Sequence, residues 1–246
     1  MHGEDVDGEK QALREAVWSS LQEAGVARFP GARGRIPNFT GAEAAAAWLA
    51  GTDLWAAAST VKSNPDSPQW PVRQRALASG RTVVVAVPRL AEERPFLRLD
   101  PDRLEVSPRA ASSIKGAARH GVPTTVEELG PVGIVVVGCV AVDRSGARLG
   151  KGGGFADLEF ALARAAGLVG PDTPVVTTVH PLQVLDDGHI PMTNHDVPLD
   201  AIVTPDGVIR CRRGRARPDG VLWDHLSEAK INEIPLLRRL ATEHNR

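Results

Sequence analysis

The chain has 246 residues, 29 Lys and Arg against 30 Asp and Glu, a formal net charge of −1 and 42% apolar residues. That length can bury a core for one large α/β domain, and a net charge near zero supplies no global field toward nucleic acid or membrane, so anion binding must be local. No window approaches eighteen apolar residues and the opening MHGEDVDGEK is acidic and polar, which argues against a membrane span or secretory signal and leads us to expect a cytoplasmic protein.

Lys10 to Ala24 has helical period, with Leu13, Val17 and Leu21 on one stripe and Gly25 at its stop. Lys10 and Arg14, four apart, project side by side from a neighbouring stripe, for which a solvated basic face is the default reading. Residues 26–39 read as a loop, and Thr40 with Glu43 three residues on predicts a capping box for a helix ending at Gly51. Leu54 to Ser59 is expected as a short buried strand. The segment Val61 to Trp70, VKSNPDSPQW, then sits at a strand's carboxyl end, where ligands bind in open α/β sheets. Lys62, Asn64, Asp66 and Gln69 are therefore candidate substrate contacts, although a plain turn is compatible with the same residues.

Val72 to Ser79 predicts a helix and Thr82 to Val87 a β-branched strand stopped by Pro88. Arg89 to Ser107 reads as irregular, with Phe96 and Leu97 packing a lid or an edge, and Pro108 to His120 as one helix. Gly133 to Val142 is an unbroken run of small and β-branched residues expected as one buried strand, with Cys139 a small apolar group inside it. Cys139 and Cys211 have no CxxC spacing and suggest neither a zinc site nor a disulfide.

The stretch Asp143 to Phe160, DRSGARLGKGGGFADLEF, follows that strand and leads into an amphipathic helix. Gly150, Gly152, Gly153 and Gly154 let backbone N–H groups approach a ligand, the helix start adds partial positive charge, and Arg148 and Lys151 bracket the turn with full charges. Phosphate is the ligand to expect. The Walker A spacing fails, because three residues separate Gly146 from Gly150 and Gly152 follows Lys151. The dinucleotide fingerprint fails as well, since no glycine lies three beyond Gly152. A glycine-rich surface turn without a ligand stays open.

Downstream, Pro174 to His180 predicts a strand. His180, His189 and His195 with nearby carboxylates invite a metal-site reading, which their non-helical, proline-interrupted spacing disfavours. Ala201 to Thr204 and Val208 to Arg210 predict a hairpin around Pro205-Asp206-Gly207. The arginine cluster from Arg210 through Arg212, Arg213 and Arg215 lacks interleaved aromatics for stacking on RNA, so nucleic acid is not the expected partner. Leu226 to Glu243 predicts a helix interrupted near Pro235. Helices and strands alternate without an internal repeat or linker, giving a single α/β domain over 1–246 with a mostly parallel sheet in a three-layer α/β/α arrangement.

RLGKGGGFAD resembles the nucleotide-binding run of the 5-formyltetrahydrofolate cyclo-ligase family, where Arg-Leu-Gly and a glycine triplet precede two tyrosines and Asp-Arg. HDVPLDAIVTPDGVI, with Asp196 and Asp200, and the Lys10/Arg14 pair are further matches. The resemblance implies a fold like that of sugar-phosphate isomerases and CoA-transferases. It also implies ATP and Mg2+ as cofactors and a reduced folate or similar small molecule as substrate. The implied reaction converts 5-formyltetrahydrofolate to 5,10-methenyltetrahydrofolate by phosphorylating the formyl oxygen and closing a ring. The implied nucleotide contacts are Lys10, Arg14 and the run Arg148, Leu149, Gly150, Lys151, Gly152, Gly153, Gly154 and Phe155, with Arg148 and Lys151 catalytic. Asp157 and Asp196 would hold magnesium.

Three positions depart from that pattern: Phe155, Ala156 and Leu158 stand where two tyrosines and an arginine are usual. GKGGGFADLEF, VVTTVH, RPDGVLWDHL and INEIPLL instead resemble the cyclo-ligase-like branch that includes methenyltetrahydrofolate synthase domain-containing proteins. The alternatives are thus an ATP-using paralogue acting on another small substrate, linked to thiamine metabolism, and a non-catalytic nucleotide- or RNA-associated binding protein.

Overall fold

A computed structural model describes residues 3–212 and 215–244. Its strands are β1 Thr60–Ser63, β2 Thr82–Ala86, β3 Phe96–Leu99, β4 Val122–Thr124, β5 Ile134–Val137, β6 Ala141–Asp143, β7 Arg148–Leu149, β8 Val175–Thr178, β9 Val184–Leu185, β10 Ala201–Thr204 and β11 Gly207–Arg210. The helices are α1 Gly3–Glu23, α2 Ala42–Ala50, α3 Asp53–Ala56, α4 Trp70–Ala78, α5 Pro108–Ala111, α6 Ile114–His120, α7 Phe155–Ala165, α8 Glu228–Glu233 and α9 Pro235–His244.

Eight strands form one sheet in the order β11-β10-β8-β5-β1-β2-β3-β4. The run from β10 to β2 is parallel, and antiparallel pairs close both ends. Strands buried on both faces need apolar residues at every position rather than in alternation, and IVVV of β5 meets that need. Successive side chains then feed opposite layers. Val135, Val137, Val175 and Ile202 pack with α7 and with Ile234, Leu236 and Leu237, whereas Ile134, Val136, Val176 and Val203 pack with α2 and α4. A separate small sheet, β7-β6-β9, carries α1 through Val17, Trp18 and Leu21 against Val140, Ala141 and Leu149. The mostly parallel α/β sheet covered on both faces is as expected.

Several elements differ from expectation. Leu54 to Ser59 is not a strand: Thr52 accepts a hydrogen bond from the Trp55 amide at 3.2 Å and starts α3, and the strand begins at Thr60. Gly133 to Val142 is two strands in two sheets, broken at Gly138, where the chain leaves β5 and turns into β6. Thr40 does not cap α2; Gly41, at φ 95, holds the N-cap without a side-chain bond, and the Thr40 hydroxyl donates to the Val26 carbonyl at 3.2 Å. The helix expected over Pro108 to His120 is split into α5 and α6 because Ser113 caps a second start through the Gly116 amide at 2.9 Å. Phe96 and Leu97, expected at a lid or edge, lie in β3, which is one strand in from the sheet edge. Among the described residues no helix is long and apolar enough to cross a membrane.

Candidate functional site

The glycine-rich turn is set by one carboxylate. Asp143 Oδ1 accepts from the Ser145 amide at 2.9 Å, the Ser145 hydroxyl at 2.5 Å and the Ala147 amide at 3.1 Å, which reverses the chain from β6 into β7. Gly146 is required there, at φ 93, because a Cβ would stand 2.6 Å from the Leu199 carbonyl. β7 delivers Arg148, and the chain then turns through Gly152 at φ 106 and Gly154 at φ 66. Gly154 is the N-cap of the eleven-residue α7 and supplies no side-chain cap. The first amides of α7 are thus left to a ligand or water, with the helix dipole behind them.

This turn walls a cleft of about 660 Å³ at the carboxyl ends of the adjacent parallel strands β1 and β5. Of the residues singled out from sequence, Asn64, Asp66, Arg148, Gly150, Lys151, Gly153, Gly154, Phe155 and Asp157 line it. Arg148 is buried and ion-paired to Asp157, and its Nε has no hydrogen-bond partner among the described residues. Burial works against that guanidinium's charge, but Asp157 more than offsets it, and its pKa lies above the ordinary arginine value. Lys151 is half-exposed and 3.8 Å from Asp66. Burial raises the Asp66 pKa, with Lys151 and Arg73 opposing. Phe155 carries the Lys230 ammonium 3.5 Å from its ring centre, tying α8 to the start of α7.

The other candidates do not line the cleft. Arg14 donates from Nε to the Gly150 carbonyl at 2.8 Å and lies beside Gly152; burial lowers its pKa, with Asp7 and Asp196 opposing. Lys10 donates to Asp196 at 2.7 Å, and both are buried. Leu149 is core, packed in the α1 cluster. Lys62 is only 1% exposed and pairs with Glu159 at 2.5 Å beneath the cleft floor. Gln69 is fully buried, its amide nitrogen 3.3 Å from the Thr178 hydroxyl.

The two proposed magnesium carboxylates are not equivalent. Asp157 lines the cleft, and its Oδ1 takes both Arg148 and the Val197 amide, the latter at 2.9 Å. Its Oδ2 has no partner among the described residues. One carboxylate oxygen plus phosphates is a common way to hold magnesium, so Asp157 fits the ion. Asp196 lies away from the cleft lining, with Oδ2 accepting from Lys10, from the Thr193 amide at 2.7 Å and from its hydroxyl at 2.9 Å. Burial would raise its pKa, but those bonds prevail and lower it. The histidines do not converge: His180 caps a turn through the Leu182 amide, His189 contacts the Asp186 carbonyl, and His195 contacts Thr193 and His225. Among the described residues no group of three or more His, Cys, Asp or Glu could hold a metal.

Arg73, Gly138 and Glu159 also line the cleft, and sequence reasoning did not single them out. Arg73 is buried and donates to the carbonyls of Asn64 at 2.6 Å, Asp66 at 3.1 Å, Pro65 at 3.1 Å and Ser112 at 2.9 Å, which locks the loop after β1. Burial lowers its pKa to about 10, opposed by Asp66. Gly138 marks the end of β5, where a Cβ would stand 2.9 Å from Gln69 Oε1 and 3.0 Å from Asp66 Oδ2. Glu159 joins Lys62 and Asn64. A lone acid inside the apolar run L-E-F-A-L-A was the available signal for it. In the arginine cluster, Arg215 donates to the Met192 carbonyl at 2.9 Å, and Arg213 lies outside the described residues.

Fold and site together define an α/β/α protein with a glycine-rich, basic turn beside a cleft at the carboxyl ends of a parallel sheet. The chain belongs to the 5-formyltetrahydrofolate cyclo-ligase family, a family of ATP-dependent ligases, whose family model matches residues 6–205. It is 38% identical to the methenyltetrahydrofolate synthase domain-containing protein of Mus musculus over 94% of this chain and 63% of that protein. For the Homo sapiens protein of the same name the figures are 37%, 94% and 61%. The chain thus spans less than two thirds of the length of these relatives. A 5-formyltetrahydrofolate cyclo-ligase, mitochondrial, of Arabidopsis thaliana is 40% identical over 32% of this chain and 29% of that protein. The NMR structure of Aquifex aeolicus 5,10-methenyltetrahydrofolate synthetase superposes with a TM-score of 0.51, at 22% identity over 88% of this chain and 99% of that one, and shares the fold.

Proposed function

We propose that the chain uses ATP and Mg2+ to convert 5-formyltetrahydrofolate to 5,10-methenyltetrahydrofolate, ADP and phosphate. The observation that carries this reading is the wall of the cleft: the uncapped start of α7, the buried Arg148 and the exposed Lys151 all present positive charge to one 660 Å³ space. Polyphosphate is the anion that uses all three. Bound Mg-ATP supplies the phosphoryl group that turns the formyl oxygen into a leaving group. The chain's own part is placement. Backbone amides of Gly153 to Ala156, the Lys151 ammonium and the Arg148 guanidinium would hold the phosphates; Arg148 also orients Asp157, whose unpaired Oδ2 would be the metal ligand. Arg14 and the Lys10–Asp196 pair brace the turn from outside and keep the cradle preorganised.

Incubating the chain with 5-formyltetrahydrofolate, ATP and magnesium tests the reading through the absorbance of the methenyl product. Absence of product alongside normal ATP binding would favour the second reading, an ATP-using paralogue with another small substrate. One observation favours that paralogue: Phe155 and Ala156 line the cleft where the family usually places phenols, so two substrate-facing hydroxyls are missing. Leu158 is different, since it packs in the core and is not among the residues that line the cleft.

A further inference from the structure

α7 buries an uninterrupted run, Leu158 to Ala163, and Glu159 is the one charged residue in it. Its Oε2 accepts from the Lys62 ammonium at 2.5 Å and from the Asn64 amide at 2.9 Å; Asn64 in turn accepts the Gly138 amide at 2.9 Å, and Arg73 holds its carbonyl. Two strand ends and a helix therefore fix one carboxylate. Stability does not account for this, because taking a carboxylate and an ammonium out of water costs as much as or more than their attraction returns, and apolar residues of the same size would serve the core as well. Glu159 nevertheless lines the cleft, and its Oε1 has no partner among the described residues. One oxygen is locked and the other is presented.

We propose that Glu159 reads the substrate through an edge of adjacent N–H donors, a cyclic 2-amino-4-oxopyrimidine such as a pterin carries, with Lys62 and Asn64 as positioning residues. Oε1 is an acceptor with two lone pairs, so a ring N–H and a neighbouring exocyclic amine can both bond to the carboxylate. Lys62 has a second role. Glu159 stands one helical turn, about 6 Å, from the start of α7, and a bare carboxylate there would repel polyphosphate. The buried ammonium cancels that charge and lets an acceptor and an anion share one cleft. Lys62 thus serves the substrate end from beneath the floor, without touching the ligand.

This inference deepens the proposed function and rests on it for the identity of the cleft, but its test does not require turnover. Pterin and 3-methylpterin, which lacks the ring N–H, are titrated into the unaltered chain by fluorescence. Pterin is expected to bind at least tenfold tighter, and equal affinities or no pterin binding would overturn the proposal without any variant. The neutral pair Lys62→Gln with Glu159→Gln keeps the side-chain lengths and leaves no lone buried charge. It should bind ATP like the parent and lose tenfold or more in pterin affinity, whereas unchanged pterin affinity overturns the proposal. Glu159-dependent pterin binding without conversion of 5-formyltetrahydrofolate would sink the proposed reaction and spare this inference. Undiminished conversion by the double variant would do the reverse.

Discussion

Replacing Arg148 by methionine separates the two jobs that residue does. The guanidinium is 3% exposed and its main partner is Asp157, so Arg148→Met leaves a carboxylate with only the Val197 amide for company. Stranding one member of a buried pair costs about 3–5 kcal/mol, and loss of the already unpartnered Nε offsets roughly 1 kcal/mol of that. The net is about 2–4 kcal/mol, or a fall in Tm of roughly 4–16 °C for a chain of this size. Adding Asp157→Asn removes the stranded charge, while the carboxamide oxygen it introduces can still take the Val197 amide, so the double variant should regain more than half of the loss. Both should bind ATP more weakly than the parent. Thermal melts and ATP titrations of all four members of the cycle are the assay. A single variant melting within about 2 °C of the parent would show that Arg148 is not desolvated as described, since breaking a solvated pair costs only ~0–1 kcal/mol.

Other substitutions probe the cradle and its supports separately. Lys151→Ala removes a half-exposed ammonium whose pair with Asp66 spans 3.8 Å. Stability should hardly change, whereas ATP affinity measured by calorimetry should fall by roughly 1.5–3 kcal/mol, the range for a charge-assisted bond. Gly138→Ala places a methyl group against Gln69, Ile36 and Asp66 side chains; those ends can shift, so the fold should survive while ligand affinity drops, and wild-type affinity would mean that the cleft tolerates the shift. Asp196 has a depressed pKa, so its contribution to stability is present above its unfolded value near 3.8 and is lost as pH falls through the lower folded value. Denaturation of the parent and Asp196→Asn should therefore converge only below about pH 4. Burial pushes the Cys139 thiol to about 11, and it should resist alkylation at neutral pH until the chain unfolds.

What could be read from the sequence was local. The turn at Pro205-Asp206-Gly207, the glycine stops after α1 and α2 and the break at Pro235 are written in a few adjacent residues, and each falls where expected. The glycine-rich turn belongs to this class too, because its charges and positive-φ positions are consecutive. The break at Gly138 was hidden, since an apolar run looks alike whether it fills one buried strand or two in different sheets. β1 was misplaced for the opposite reason: its central residue is Lys62, a charge that argues against a buried strand until Glu159 is known to lie above it. That partner is 97 positions away, as Asp196 is 186 from Lys10. Pairings of that range come from the order of strands in the sheet and leave no mark on local periodicity.

The central claim is that the turn from Gly150 to Gly154 and the start of α7 cradle a nucleotide's phosphates. A crystal structure of the chain with magnesium and a non-hydrolysable ATP analogue tests it most directly. The account predicts phosphate oxygens within hydrogen-bond reach of the Gly153 to Ala156 amides and of Lys151, with the metal on Asp157. A nucleotide bound elsewhere, or a cradle filled by the protein's own side chains at saturating analogue, would contradict it.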